Sequence, residues 1–166
     1  HRDLHLSIRR QRQMCIRDRT RVVSIELPAG GLPIILGGEQ LSGYHGQSHH
    51  GKDPKVVEEL VKIEQMHTAS LSKFLSRLKE IQDDDTTLLN RTQVLFGSGL
   101  GNGSSHSNKN LPVLVAGGDF KHGGQDIFFD EGEVPLSNVF VTMLQKLGVE
   151  TGAFATSTGN VNTELA

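Results

Sequence analysis

From Val56 onward, apolar or borderline side chains return every three or four residues, as Val56, Leu60, Ile63, His67, Leu71, Phe74, Leu78 and Ile81. That spacing lays them along one stripe of a long amphipathic helix. Asp53 is a good N-cap, and Pro54 stands at the first helical position, where a missing N–H costs nothing. The acidic run at 83–85 ends the helix and reads as its solvated end. His67 lies inside the apolar stripe and reads as a core histidine satisfied by a hydrogen bond, with a ligand role as the alternative.

Elsewhere the period shortens to two. In the stretch 20–28, Val23, Ile25 and Leu27 alternate with polar neighbours and Pro28 closes the run, which predicts a strand. "AGGLPIILGG" is punctuated by Gly and Pro around a short apolar core at Ile34 to Leu36. "TQVLFGSG" at 92–99 reads as a buried strand entering a Gly-rich loop, and "LPVLVAGG" at 111–118 repeats the pattern. A third run, "IFF" at 127–129, is short enough for an edge strand. From Pro135 a second amphipathic helix runs to Gly148, which stops it. The tail after it is polar and reads as loop. Long helix, strand, strand, helix predicts an α/β layered arrangement of three or four strands.

The first 19 residues fit none of these patterns. They hold six Arg and no Lys, without either period, and lack the apolar h-region and small-residue cleavage site of a signal peptide. A basic nucleic-acid arm is one reading of this stretch, but "RQMCIRDR" resembles translated sequencing-adapter read-through, so residues 1–19 are read as an artefact and 20–166 as the native part. The remainder carries 11 basic and 17 acidic residues, a net charge of −6. That balance gives no electrostatic argument for nucleic acid. The single cysteine, Cys15, falls in the excluded segment, which leaves no disulfide framework and no thiolate chemistry. No run of roughly 18 apolar residues occurs, so no membrane span is expected.

Candidate chemistry concentrates in "YHGQSHHG" at 44–51, which holds three of the eight histidines. His45 and His49 are four apart, the spacing that zinc proteases place on one helix face, but no Glu follows His45 and H-E-x-x-H fails. Gly46 and Gly51 argue for a loop. His45, His49 and His50 offer two or three imidazoles to a borderline metal, and a surface His loop is the alternative. The loop precedes a helix N-terminus, whose dipole favours neutral, ligating imidazole over a cation.

"GSGLGNGSSH" at 97–106 follows a strand, yet it is neither a Walker A loop nor G-x-G-x-x-G. Ser98 occupies a nucleophile-elbow position, but Phe96 stands where that motif needs Gly. His106 is the better candidate there, because α/β sheets place ligands at the carboxyl ends of strands. It joins the first His group if the two loops meet. His122, in "FKHGGQ", reads as a solvated turn histidine.

His45-x-x-Ser48-His49-His50 is the motif that names an uncharacterised bacterial family, the HXXSHH family, and the chain resembles the carboxyl-terminal part of its members. "TRVVSIEL", "LFGSGLGNGSSHSNKNLPVLVAGG" and "LGVETGAFATSTGNVNTEL" follow in the same order, so the resemblance covers about residue 20 to the end. It implies a carboxyl-terminal fragment of a longer, exported (periplasmic or extracellular) protein. More distantly, the order of helix, strand, Gly-rich loop and strand is similar to the second half of alkaline-phosphatase-like and sulfatase-like hydrolases. That similarity implies a partial alkaline-phosphatase-like layered sheet with flanking helices. It also implies metal-dependent hydrolysis of a small anionic phosphate or sulfate ester. The cofactor would be a divalent metal (zinc, manganese, iron or calcium) on His45, His49, His50 and His106. His45 and His49 keep the frame of that superfamily's first ligand pair. Gly99-Leu100 stands where the later Asp-His pair would fall, and the superfamily's nucleophile lies in a region that this sequence lacks. A non-catalytic metal-binding or structural relative is the other reading.

Overall fold

The computed structural model describes residues 22–27, 30, 33–121, 124, 126–130 and 132–165. Two-residue turns make the two smallest elements. Strands β1 (Ile34–Leu36) and β2 (Glu39–Leu41) pair antiparallel around Gly37 and Gly38, with Leu36 opposite Glu39. Both glycines have positive φ, 61° and 88°, which suits the two central positions of a tight hairpin.

After a short helix α1 (Tyr44–Ser48), helix α2 runs over Pro54–Glu80. It starts as the sequence predicts, with the Asp53 carboxylate accepting from the Lys55 N–H at 2.9 Å. Its stripe is only partly covered. Ile63 and Leu78 are buried, whereas Phe74 and Ile81 at the far end are exposed. Strands β3 (Gln82–Asp83) and β4 (Thr86–Thr87) form a second hairpin directly after α2. The acidic run is therefore a hairpin turn rather than a solvated helix end, and Arg91 pairs with Asp83, Asp84 and Asp85 at 3.2, 3.5 and 2.9 Å.

Strands β5 (Gln93–Gly97) and β6 (Val113–Gly117) pair antiparallel, from Gln93 opposite Gly117 to Gly97 opposite Val113. Helix α3 (Leu136–Lys146) ends at Gly148, whose N–H bonds the Gln145 carbonyl while Val149 bonds Leu144, the paired closure of a Schellman cap. The polar tail is not a free loop. Ser137, Asn138, Thr142 and Gln145 of α3 hold Thr156, Thr158, Val161 and Asn162 through side-chain hydrogen bonds. The tail closes with a one-turn helix α4 (Asn162–Leu165), and Val141, Val161 and Leu165 are buried.

The chain thus mixes helices with small antiparallel sheets, and among the described residues each of the three sheets has two strands. Two expected strands are absent. Residues 22–27 have no strand partner and expose Val22, Val23 and Ile25, and residues 20, 21 and 28 lie outside the described set. At 127–129 no strand forms and Phe128 is 89% exposed. Alternation specifies which side chains share a face, but a strand exists only when another backbone takes its N–H and C=O groups.

Candidate metal centre

Gly46 did not prevent a helix at the histidine cluster. Its cost in a helix interior is about 1 kcal/mol, and two neighbours in α1 pack down on α2 to offset it. Gln47 is buried, and its side-chain amide donates to the Glu59 carboxylate. Tyr44 donates its hydroxyl to Glu64 at 3.4 Å and sets its ring 5.5 Å from that of His67. Burial pushes the Tyr44 phenol above its ordinary range, and the Glu64 charge adds to the shift. The expectation of a loop here is therefore corrected. With α1 formed, His45 and the C-capping His49 come to one exposed side, ring centres 5.0 Å apart and planes at 72°.

The second part comes from the Gly-rich loop. Asn102 and Ser107 bridge antiparallel, and the Asn102 side chain accepts from the Ser105 N–H at 3.0 Å. This tight loop turns His106 outward at φ 52°, with its N–H on the Gly103 carbonyl. Gly103 lies directly against α1, where a β-carbon on it would stand 2.9 Å from the Ser48 β-carbon and 3.2 Å from the Ser48 carbonyl oxygen. Only a residue without a side chain lets the loop dock this closely. The docked loop sets the His106 ring 4.8 Å from that of His49, with planes at 77°.

The structure therefore brings together three of the four candidate ligands, His45, His49 and His106. His50 is placed differently. Its Nδ1 accepts the Lys52 N–H at 3.0 Å, so the neutral ring carries its proton on Nε2 and has no lone pair left for a metal while that bond is made. Ser98 is likewise engaged locally, its hydroxyl accepting from the Leu100 N–H at 3.2 Å. His122 lies outside the described residues. His67 is half-buried, and its Nε2 has no hydrogen-bond partner among the described residues.

A metal–nitrogen bond of about 2.1 Å puts each ring centre a little over 3 Å from an ion, so neighbouring rings around it stand roughly 5 Å apart. The observed 5.0 and 4.8 Å match that separation. The edge-on packing does not aim three nitrogens at one point, and among the described residues no group of three His, Cys, Asp or Glu is arranged to hold an ion as it stands. Spacing and donor chemistry fit, and rotation of the imidazoles about their own side-chain bonds is the movement still required. All three residues are exposed.

Sequence reasoning missed the supports of this cluster. Gln47 with Glu59, and Ser48 with Gly103, carry no signal in spacing, since each pair joins different elements. A single hint existed in Gly103 itself, one of three glycines in five residues beside a candidate ligand. No helix among the described residues is long and apolar enough to cross a membrane. No protein-family model, no curated protein and no solved structure matches the chain.

Proposed function

We propose that His45, His49 and His106 form a divalent-metal site and that the chain is part of a metal-dependent hydrolase of phosphate or sulfate esters. The observation that carries this reading is the convergence of three exposed imidazoles from two separate elements at ring separations of 4.8 and 5.0 Å. A bound metal supplies Lewis acidity toward an ester oxygen. In this chain the residues that act are the holders: α1 presents His45 and His49, and the docked loop presents His106. Imidazole donors suit zinc, manganese or iron better than calcium, which prefers oxygen. The alkaline-phosphatase-like sheet implied by the HXXSHH resemblance belongs to the same proposal. Its support is the order α2, β5, Gly-rich loop, β6 with the histidine at the loop.

The test is metal analysis of the purified chain after dialysis against each ion in turn, with release of phosphate or sulfate from nitrophenyl esters assayed on a longer homologue that also supplies the nucleophile region. One equivalent of zinc, manganese or iron is expected. A chain that retains no stoichiometric metal sinks the proposal.

A second reading, metal binding without catalysis, is favoured by one observation. Two hollows of the surface lie away from the cluster, one between Leu36 of β1 and Met66 and Ala69 of α2 and one around Gln145 to Gly152, whereas the three histidines are exposed. Stoichiometric metal without ester hydrolysis, in a longer homologue that also supplies the nucleophile region, is its signature.

A further inference from the structure

The two apolar strands β5 and β6 are covered less than their composition asks. Runs such as Val94-Leu95-Phe96 and Val113-Leu114-Val115-Ala116 belong to strands buried on both faces. Here Gln93 reaches the Met143 carbonyl of α3 at 3.2 Å, so by strand alternation Gln93 and Leu95 face that helix. The opposite face carries Val94, Phe96, Leu114 and Ala116, and Leu114 is 44% exposed. The outer edge of β5 has no partner strand among the described residues. An isolated two-stranded ribbon is marginal in water.

The same chain holds a strand-forming segment without a strand. In residues 22–27, Val23, Ile25 and Leu27 alternate with polar neighbours, and Val22, Val23 and Ile25 are exposed by 81, 69 and 74%. None of these six residues pairs its backbone with a described residue. Its length matches the five residues of β5.

The position of its end favours β5 as the partner. Just beyond the segment, the Gly30 carbonyl accepts from the His45 N–H at 3.4 Å, which ties the chain to the start of α1. The loop that leaves β5 comes to the other end of the same helix, where Gly103 meets Ser48. Residues 22–27 thus run toward α1, and so does β5. Side by side, the two would be parallel with their carboxyl ends at the histidines.

We propose that residues 22–27 add to the outer edge of β5 as a parallel third strand, with Val23, Ile25 and Leu27 extending the face of Val94 and Phe96. Adjacent strands lie about 4.8 Å apart, within the reach of a disulfide between facing positions. Docking fixes the chain at Gly30 and so the amino-terminal end of the helix that carries His45. The proposal does not depend on metal binding, and the metal-free chain tests it.

In a Cys15→Ser background, Val23→Cys and Ile25→Cys are each paired with Val94→Cys and with Phe96→Cys, with Leu114→Cys on β6 as control. A disulfide within one chain is expected for at least one β5 pair and for neither β6 pair. Hydrogen exchange on the Cys15→Ser chain is expected to show amides of 22–27 slowed about tenfold or more against an unstructured segment. Ser24→Pro is expected to abolish that protection and to speed exchange along β5, while the amides of α2 stay protected. Exchange of 22–27 at the unstructured rate overturns the proposal. Cross-links found only between two chains, or only to β6, overturn it as well.

Discussion

Gly103 abuts Ser48 so closely that a β-carbon on the glycine would stand 2.9 Å from the serine's own. This contact, between a loop after β5 and the last residue of α1, fixes His106 beside His49. Ser48 is itself held, because its hydroxyl donates to the His45 carbonyl at 2.7 Å. The serine of the motif therefore positions two histidines, its own helix's and the loop's, without needing to touch a metal.

Gly103→Ala tests that coupling. The added methyl meets backbone and Cβ atoms, which cannot swing aside as a flexible side-chain end would. The loop is expected to lift from α1, and zinc affinity to fall by about 10- to 100-fold, the range seen when groups supporting metal ligands are lost. Titration calorimetry on the variant and the parent measures this, with far-UV circular dichroism expected to stay unchanged.

The four histidines are expected to separate on substitution. His45→Ala, His49→Ala and His106→Ala each remove a donor from the cluster and weaken zinc binding. His50→Ala is expected to leave affinity within a few-fold, because its Nδ1 is occupied by the Lys52 N–H. Zinc titrations of the four single variants decide it. Equal losses at His50 and His106 would contradict the three-histidine assignment.

Much of this was legible in the sequence because it is local. The Asp53 cap and the stripe of α2 act over a few residues, so spacing encodes them. The histidine motif was legible as a cluster, but the shape given to it was wrong. Gly46 argued for a loop on its own propensity, while Gln47 and Tyr44 bring tertiary contacts to Glu59, Glu64 and the His67 ring that outweigh it. At 22–27, the described part of the run 20–28, the structure shows no strand. The alternation is real, but pairing depends on a partner edge that no local pattern names.

Tyr44 gives the chain an alkaline-sensitive contact. Its phenol is raised by burial and by Glu64, so the folded state holds the proton more tightly than the unfolded one, whose tyrosine titrates near 10. That contribution is complete below about pH 10 and is lost as pH rises toward the folded-state value, because the unfolded chain ionises first. Denaturant midpoints measured between pH 8 and 11 are expected to fall above about pH 10 for the parent chain. Tyr44→Phe is expected to flatten the decline above pH 10 that this residue causes.

The tail supplies the last test, since part of its attachment is polar. Asn138 is 5% exposed and makes two hydrogen bonds to one residue, its amide donating to the Thr158 hydroxyl at 3.2 Å and its oxygen accepting the Thr158 N–H at 2.9 Å. Asn138→Ala removes both and leaves the Thr158 N–H without its acceptor, which costs about 1–3 kcal/mol where water cannot replace it. Thr158 is exposed, so water recovers part of that loss and the lower end of the range applies. Val161, buried with Val141 and Leu165, and its bond to Thr142 hold the far side of the tail. Local opening at 154–160 is therefore expected before global unfolding. Limited proteolysis is expected to cut the variant in this stretch faster than the parent, with α2 still intact. Equal cleavage rates would show that the Val161 anchor alone retains the tail.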